Sequence, residues 1–203
     1  SLFFVPYGIW DEFNTVLELR DFQPFYHELE STGKGQFYNL ASDGQTAFSA
    51  PLGYDPVSFC IFIKDRKVKQ IPVDLNQSLK CHMGVVHSNG CYYSPPRGED
   101  LDYNYILKFD PTQQELTKIA VEGLPKACRK YSDFIQAGNK LYALPFGHAG
   151  HLSEILVLNT ETDTTELVKL NIPDFYKKYN TGVLVDNKII ALPYGHKDSE
   201  VSN

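Results

Sequence analysis

Gly138-Asn139-Lys140-Leu141-Tyr142-Ala143-Leu144-Pro145-Phe146-Gly147 is a turn dipeptide, an apolar run, and a proline followed by an aromatic residue and glycine. The order returns almost unchanged in Asp186-Asn187-Lys188-Ile189-Ile190-Ala191-Leu192-Pro193-Tyr194-Gly195. Its second half recurs in Phe3-Phe4-Val5-Pro6-Tyr7-Gly8, Phe48-Ser49-Ala50-Pro51-Leu52-Gly53 and Tyr92-Tyr93-Ser94-Pro95-Pro96. Pro6, Pro51, Pro95, Pro145 and Pro193 are spaced by 45, 44, 50 and 48 residues. A repeat in the forties is the length of one propeller blade, four antiparallel strands around a central channel.

The inside of each repeat supports four strands. Fourteen residues before the last four of these prolines stand Phe37, Cys81, Tyr131 and Tyr179. Midway lie Asp43-Gly44, Asn89-Gly90, Gly138-Asn139 and Asp186-Asn187, dipeptides that suit the tight turn of a hairpin. A variable polar loop then leads to apolar stretches at 15–19, 58–63, 105–109 and 154–158, and further strands follow at 116–119 and 166–170. Only Pro173-Asp174-Phe175-Tyr176-Lys177-Lys178 reads as a helical turn. The expected fold is all-β, a β-propeller of four-stranded blades. Blades are placed at 1–30 (partial), 36–75, 80–124, 130–172 and 178–203 (partial), in a single domain or part of one. Three complete blades with incomplete ends predict a partial propeller; a closed four-bladed ring with one spare strand is the alternative.

The order of the unit resembles a kelch-type blade over nearly the whole chain. The pattern departs from kelch in two places. Pro-Phe-Gly or Pro-Tyr-Gly stands where a Gly-Gly doublet is usual, and the one tryptophan, Trp10, falls in a loop position rather than in a fourth strand.

Composition narrows the function. The 203 residues carry a formal net charge of −6, which argues against a protein whose main task is to hold nucleic-acid phosphates. The longest apolar runs, 59–63 and 189–192, are far too short for a membrane span. An aromatic content of 13% suits pleated sheet. Cys60, Cys81, Cys91 and Cys128 form no Cys-x-x-Cys motif, and the blade register separates them, so free thiols and a reducing, intracellular compartment are expected.

Catalytic and metal signatures are missing from the sequence. His148-Ala149-Gly150-His151 lacks a third ligand at suggestive spacing, and His82 and His87 would point to opposite faces of one strand. No nucleophile elbow, phosphate loop or dinucleotide fingerprint is present, so no catalytic residue, metal or cofactor is expected. Glu99, Asp100 and Asp102, beside Tyr103 and Asn104, read as a solvated acidic loop.

Geometry supplies the functional expectation. The segment leading into the first strand and the loop leaving the second open on the same face, because a tight hairpin starts and ends at one edge. Gln36, Lys80, Lys130 and Lys178, then Tyr38, His82, Ser132 and Asn180, then Arg97, His148 and His196 should therefore ring one mouth of the channel. Such a ring would bind an acidic peptide of a protein partner, or a small anion. The chain is read as a non-enzymatic binding or scaffold module. A propeller enzyme (hydrolase, lyase or oxidase) with its site at the mouth, and an accessory subunit of a large complex, are the alternatives.

Overall fold

The computed structural model describes residues 1–8, 13–30, 33–55, 57–75, 78–148, 151–172 and 177–194, and these hold strands and no helix. The first sheet contains β1 (Leu2–Phe4), β2 (Thr15–Arg20) and β3 (Gln23–Glu28). Three four-stranded sheets follow: β4 (Ala41–Ser42), β5 (Thr46–Ser49), β6 (Phe59–Lys64) and β7 (Lys67–Pro72); β8 (Val86–Ser88), β9 (Cys91–Ser94), β10 (Tyr105–Asp110) and β11 (Glu115–Ala120); β12 (Ile135–Ala137), β13 (Lys140–Ala143), β14 (Glu154–Asn159) and β15 (Thr164–Lys169). The last sheet is the hairpin of β16 (Tyr179–Val185) and β17 (Lys188–Pro193). Every pairing is antiparallel between strands adjacent in the chain, so each sheet is a meander. The first strands β4, β8, β12 and β16 lie side by side in succession, which makes the assembly an incomplete propeller.

Local sequence explains each blade. Asn89-Gly90, Gly138-Asn139 and Asp186-Asn187 close two-residue turns, with Ser88 opposite Cys91, Ala137 opposite Lys140 and Val185 opposite Lys188. Third strands such as Phe59–Lys64 are apolar on both faces because a blade is covered on both sides, whereas fourth strands such as Glu115–Ala120 alternate at the outer edge. The core lies between blades. Phe48, Phe62, Tyr92 and Phe109 fill one interface, with the Phe48 and Phe109 rings stacked at 4.5 Å. Tyr131, Leu141, Leu156 and Leu158 pack with Tyr93 and Ile106 in the next. Phe37, Phe59 and Ile61 join Val16 in the third. Inner and outer sheets differ in burial: Leu144 in the third four-stranded blade is 6% exposed, while Leu192, at the same place in the last hairpin, is 79% exposed.

The structure corrects the repeat register in one blade. Pro51, Pro145 and Pro193 each lie six residues beyond the second strand's start-side turn residue (Gln45, Asn139 and Asn187), and the proline at that distance from Gly90 is Pro96, not Pro95. Backbone hydrogen bonds agree. Leu52, Phe146 and Tyr194 donate to the carbonyls of Gln36, Lys130 and Lys178, and the equivalent bond runs from Arg97 to Cys81. The counterpart of buried Gln36, Lys130 and Lys178 is therefore Cys81, and Lys80 aligns with Gly35, Arg129 and Lys177.

Candidate functional site

One backbone device recurs between blades. The N–H groups of Gly35, Lys80, Arg129 and Lys177 donate to the carbonyls of Gly8, Gly53, Gly98 and Gly147 in the preceding unit, at 2.6–2.9 Å. Two residues later Phe37, His82, Tyr131 and Tyr179 donate to Pro6, Pro51, Pro96 and Pro145, at 3.1–3.3 Å. The proline-x-glycine motif thus latches the next blade's lead-in. Its glycine is needed for conformation: Gly98 has φ 62, and a Cβ there would lie 2.7 Å from Tyr103. The lead-in has the same demand, with φ 54 at Gly35, 50 at Lys80, 49 at Arg129 and 53 at Lys177. Three long cationic side chains occupy a left-handed position that non-glycine residues seldom adopt.

The latch sorts the cations into two layers. In the first, the left-handed residues alternate with the residue that follows each proline-x-glycine. Lys80 Nζ sits 4.6 Å from the Tyr54 ring and 2.6 Å from Glu99 Oε1. Arg129 meets the same oxygen through Nη2 at 2.7 Å and Nε at 2.8 Å. Burial raises the Glu99 pKa, but the bonds from Lys80 and Arg129 outweigh it and hold the carboxyl below its usual range. His148 follows, its pKa lowered by burial and then by Arg129 and Lys177, with Nδ1 4.0 Å from Cys128 Sγ. Among the described residues the rim therefore runs Tyr54, Lys80, Glu99, Arg129, His148, Lys177, with the Glu99 carboxylate shared by Lys80 and Arg129.

The second layer is the residue after each repeat proline. Arg97, only 8% exposed, donates from Nη1 to Ser132 Oγ at 2.8 Å and lies 5.0 Å from the Phe146 ring centroid. Burial, and next Arg129, lower its pKa to about 10. Tyr7, at the same register in the first unit, packs edge-on to Tyr38 at 5.3 Å. Phe146 approaches Tyr194 at 5.9 Å.

Several residues expected at the mouth lie elsewhere. Lys130 is wholly buried, its Nζ donating to the Asp100 carbonyl at 3.2 Å, and burial lowers its pKa to about 8. Lys178 is 1% exposed. Both sit one residue beyond the left-handed turn, where the chain directs the side chain into the interior. His82 takes the place of Phe37 and Tyr131 in the packed interior. Its Nδ1–H donates to the Pro95 carbonyl at 3.1 Å, which leaves Nε2 to accept from the Tyr103 hydroxyl at 2.7 Å. Burial takes its pKa down to about 3, so it is a neutral structural group. Arg97 and His148 lie within electrostatic range of Arg129, Ser132 accepts from Arg97, Tyr38 packs on Tyr7, and Asn180 is half-buried at the start of β16. His196 and the stretch 173–176 lie outside the described residues. The acidic loop is drawn into ion pairs: Glu99 as above, and Asp102 with Lys126 at 2.7 Å. Sequence reasoning missed Arg129, Lys177, Tyr7 and Tyr54. Counting from the turn dipeptide instead of from the first proline of Pro95-Pro96 would have found the two cations.

Among the described residues no group of three metal-ligating side chains converges, and Cys60, Cys81, Cys91 and Cys128 are free thiols. No helix there is long and apolar enough to cross a membrane.

No protein-family model and no curated protein matches the sequence. Similarity is found among solved structures. A chain of a nidogen/laminin complex superposes with TM-score 0.56 at 11% identity, over 89% of this chain and 63% of its own length. YjhT superposes with TM-score 0.55 at 12% identity, over 87% of this chain and 65% of its own. The chain therefore spans less than two thirds of the length of these two structures, and at these identities the likeness is one of fold, the β-propeller.

Proposed function

We propose that this chain is a kelch-like propeller module, one domain or part of one, that binds an acidic segment of a protein partner at the rim formed by Lys80, Arg129 and Lys177. The observation that carries the reading is the register of these three cations. All three have the same left-handed backbone position in consecutive blades, and Lys80 and Arg129 share the Glu99 carboxylate. Fixed cations around a partly enclosed opening concentrate anions and speed their capture. Tyr54 beside Lys80 adds an apolar surface for the partner's chain. An enzyme with its chemistry at the mouth would call for acid–base groups converging from several blades; the rim register supplies Glu99 and the neutral-leaning His148. The free thiols fit a reducing compartment, and the same surface would serve a subunit of a larger assembly.

The test is a fluorescence-anisotropy titration with a labelled polyglutamate peptide. Lys80→Glu combined with Arg129→Glu should weaken binding by roughly tenfold to a hundredfold, and raising salt should weaken the unaltered protein's binding. Unchanged affinity in the double variant removes the reading.

A further inference from the structure

The position after each repeat proline is held by Tyr7, Leu52, Arg97, Phe146 and Tyr194. Four of the five are apolar or aromatic, so the fold is satisfied there by a side chain without charge. Arg97 is the exception, and its guanidinium is enclosed as Leu52 and Phe146 are, at 8% exposure against 5% for each of them. An enclosed charge is costly unless a counter-charge meets it. Arg97 has no ion pair among the described residues. The nearby Glu99 carboxylate spends its contacts on Lys80 and Arg129, and the partner on Nη1 is the neutral hydroxyl of Ser132. Nε is buried with no acceptor among the described residues.

Commitment of Nη1 to Ser132, with Phe146 against the guanidinium, fixes which edge is left. That edge is Nε–H with the adjacent Nη2–H, two near-parallel donors that match the two oxygens of a carboxylate. Tyr7 and Tyr54 both lie within electrostatic range of the guanidinium. Arg97, at 8% exposure, is more enclosed than the side chains of Lys80 and Arg129, at 17% and 25%, and the end of a chain reaches an enclosed donor more readily than its middle does.

We infer that Arg97 is the specificity-determining residue of this site and binds the terminal carboxylate of the partner's segment side-on through Nε and Nη2. This rests on the rim reading above: Lys80, Arg129 and Lys177 attract the acidic residues of the segment, and Arg97 discriminates a free chain end from acidic side chains alone.

The experiment compares two fluorescein-labelled peptides of equal charge, pentaglutamate with a free terminal carboxylate and hexaglutamate with a terminal carboxamide. The unaltered protein should bind the free acid roughly tenfold more tightly. Arg97→Lys, which keeps the charge and loses the planar fork, should bring the two to parity. Arg97→Leu, which copies Leu52, should melt at or above the temperature of the unaltered protein while losing the preference. Equal binding of both peptides, with both lost in the Lys80→Glu, Arg129→Glu protein, overturns the Arg97 assignment and leaves the rim standing. Binding of neither peptide overturns both. A large fall in melting temperature for Arg97→Leu marks a structural residue and overturns the assignment as well.

Discussion

Lys80 and Lys130 look alike in the sequence, each a lysine at the start of a blade, and the fold gives them opposite tasks. Lys80 occupies the left-handed position of its lead-in and reaches Glu99 and Tyr54 at the rim. Lys130 lies one residue further along its own lead-in, faces the interior and ties down the loop that carries Asp100. The same interior position in the preceding blade holds Cys81, whose thiol is bonded to the Ser78 carbonyl and pushed up to about 12 by burial. Backbone geometry, repeated by the latch, decides where a side chain goes. Residue type then decides what it does there, so the interior positions tolerate lysine, cysteine or glutamine, while left-handed Lys80 and Arg129 meet Glu99.

Charge reversal should separate the two lysines most sharply. Lys130→Glu places a carboxylate in an enclosed site beside the Asp100 carbonyl, with Asp100 and Asp102 nearby, and should cost about 3–5 kcal/mol in urea unfolding. Lys80→Glu should cost about 1 kcal/mol or less, because its ion pair is partly solvated. Similar costs for both would break the comparison. Phe109→Ala, which opens the stacked contact with Phe48, gives a benchmark for interior damage at about 3–5 kcal/mol. Lys130→Glu should resemble it.

A smaller effect follows from titration. Burial lowers the Lys130 pKa to about 8, below the ordinary lysine value of 10.5. The unfolded chain then binds more protons than the folded one between those values, so stability should rise as pH increases from about 8 to 10.5. Lys130→Met should flatten that rise, which melting curves across the window would show. Asp133 behaves in the opposite sense. Burial raises its carboxyl to about 6, against a weaker opposing bond from the Phe134 N–H. The folded state takes up protons first, and stability should fall as pH rises from about 4 to 6, a slope that Asp133→Asn should remove. Gly84→Ala should cost about 1–3 kcal/mol, since its Cβ would stand 2.2 Å from Asp133 Oδ1.

The fold was readable because its signals are local. Turn dipeptides such as Asn89-Gly90 and Gly138-Asn139 fix the hairpins, and third strands such as Phe59–Lys64 declare themselves by apolar length. The site was readable only in part. Pro95 and Pro96 stand in tandem, and choosing the first moved one blade by a residue. That placed Lys80 beside Lys130 and His82 beside Ser132, when the chain aligns Lys80 with Arg129 and His82 with Tyr131. A one-residue slip exchanges interior for exterior in a strand lead-in. Left-handed backbone at a lysine or arginine has no signature in residue type, so Arg129 and Lys177 are marked only by their register with Lys80. Arg97 follows a repeat proline and is expected near the mouth from that alone, but its enclosure depends on Ser132 and Phe146 from the next blade.

The sorting of lysines between rim and interior can be measured directly by acetylating the native protein with a limiting acetylating reagent and mapping the modified residues by mass spectrometry. Lys80 and Lys177 should react under native conditions, while Lys130 and Lys178, at 0% and 1% exposure, should be protected until the protein is unfolded. Modification of Lys130 as fast as Lys80 in the folded protein would contradict the account.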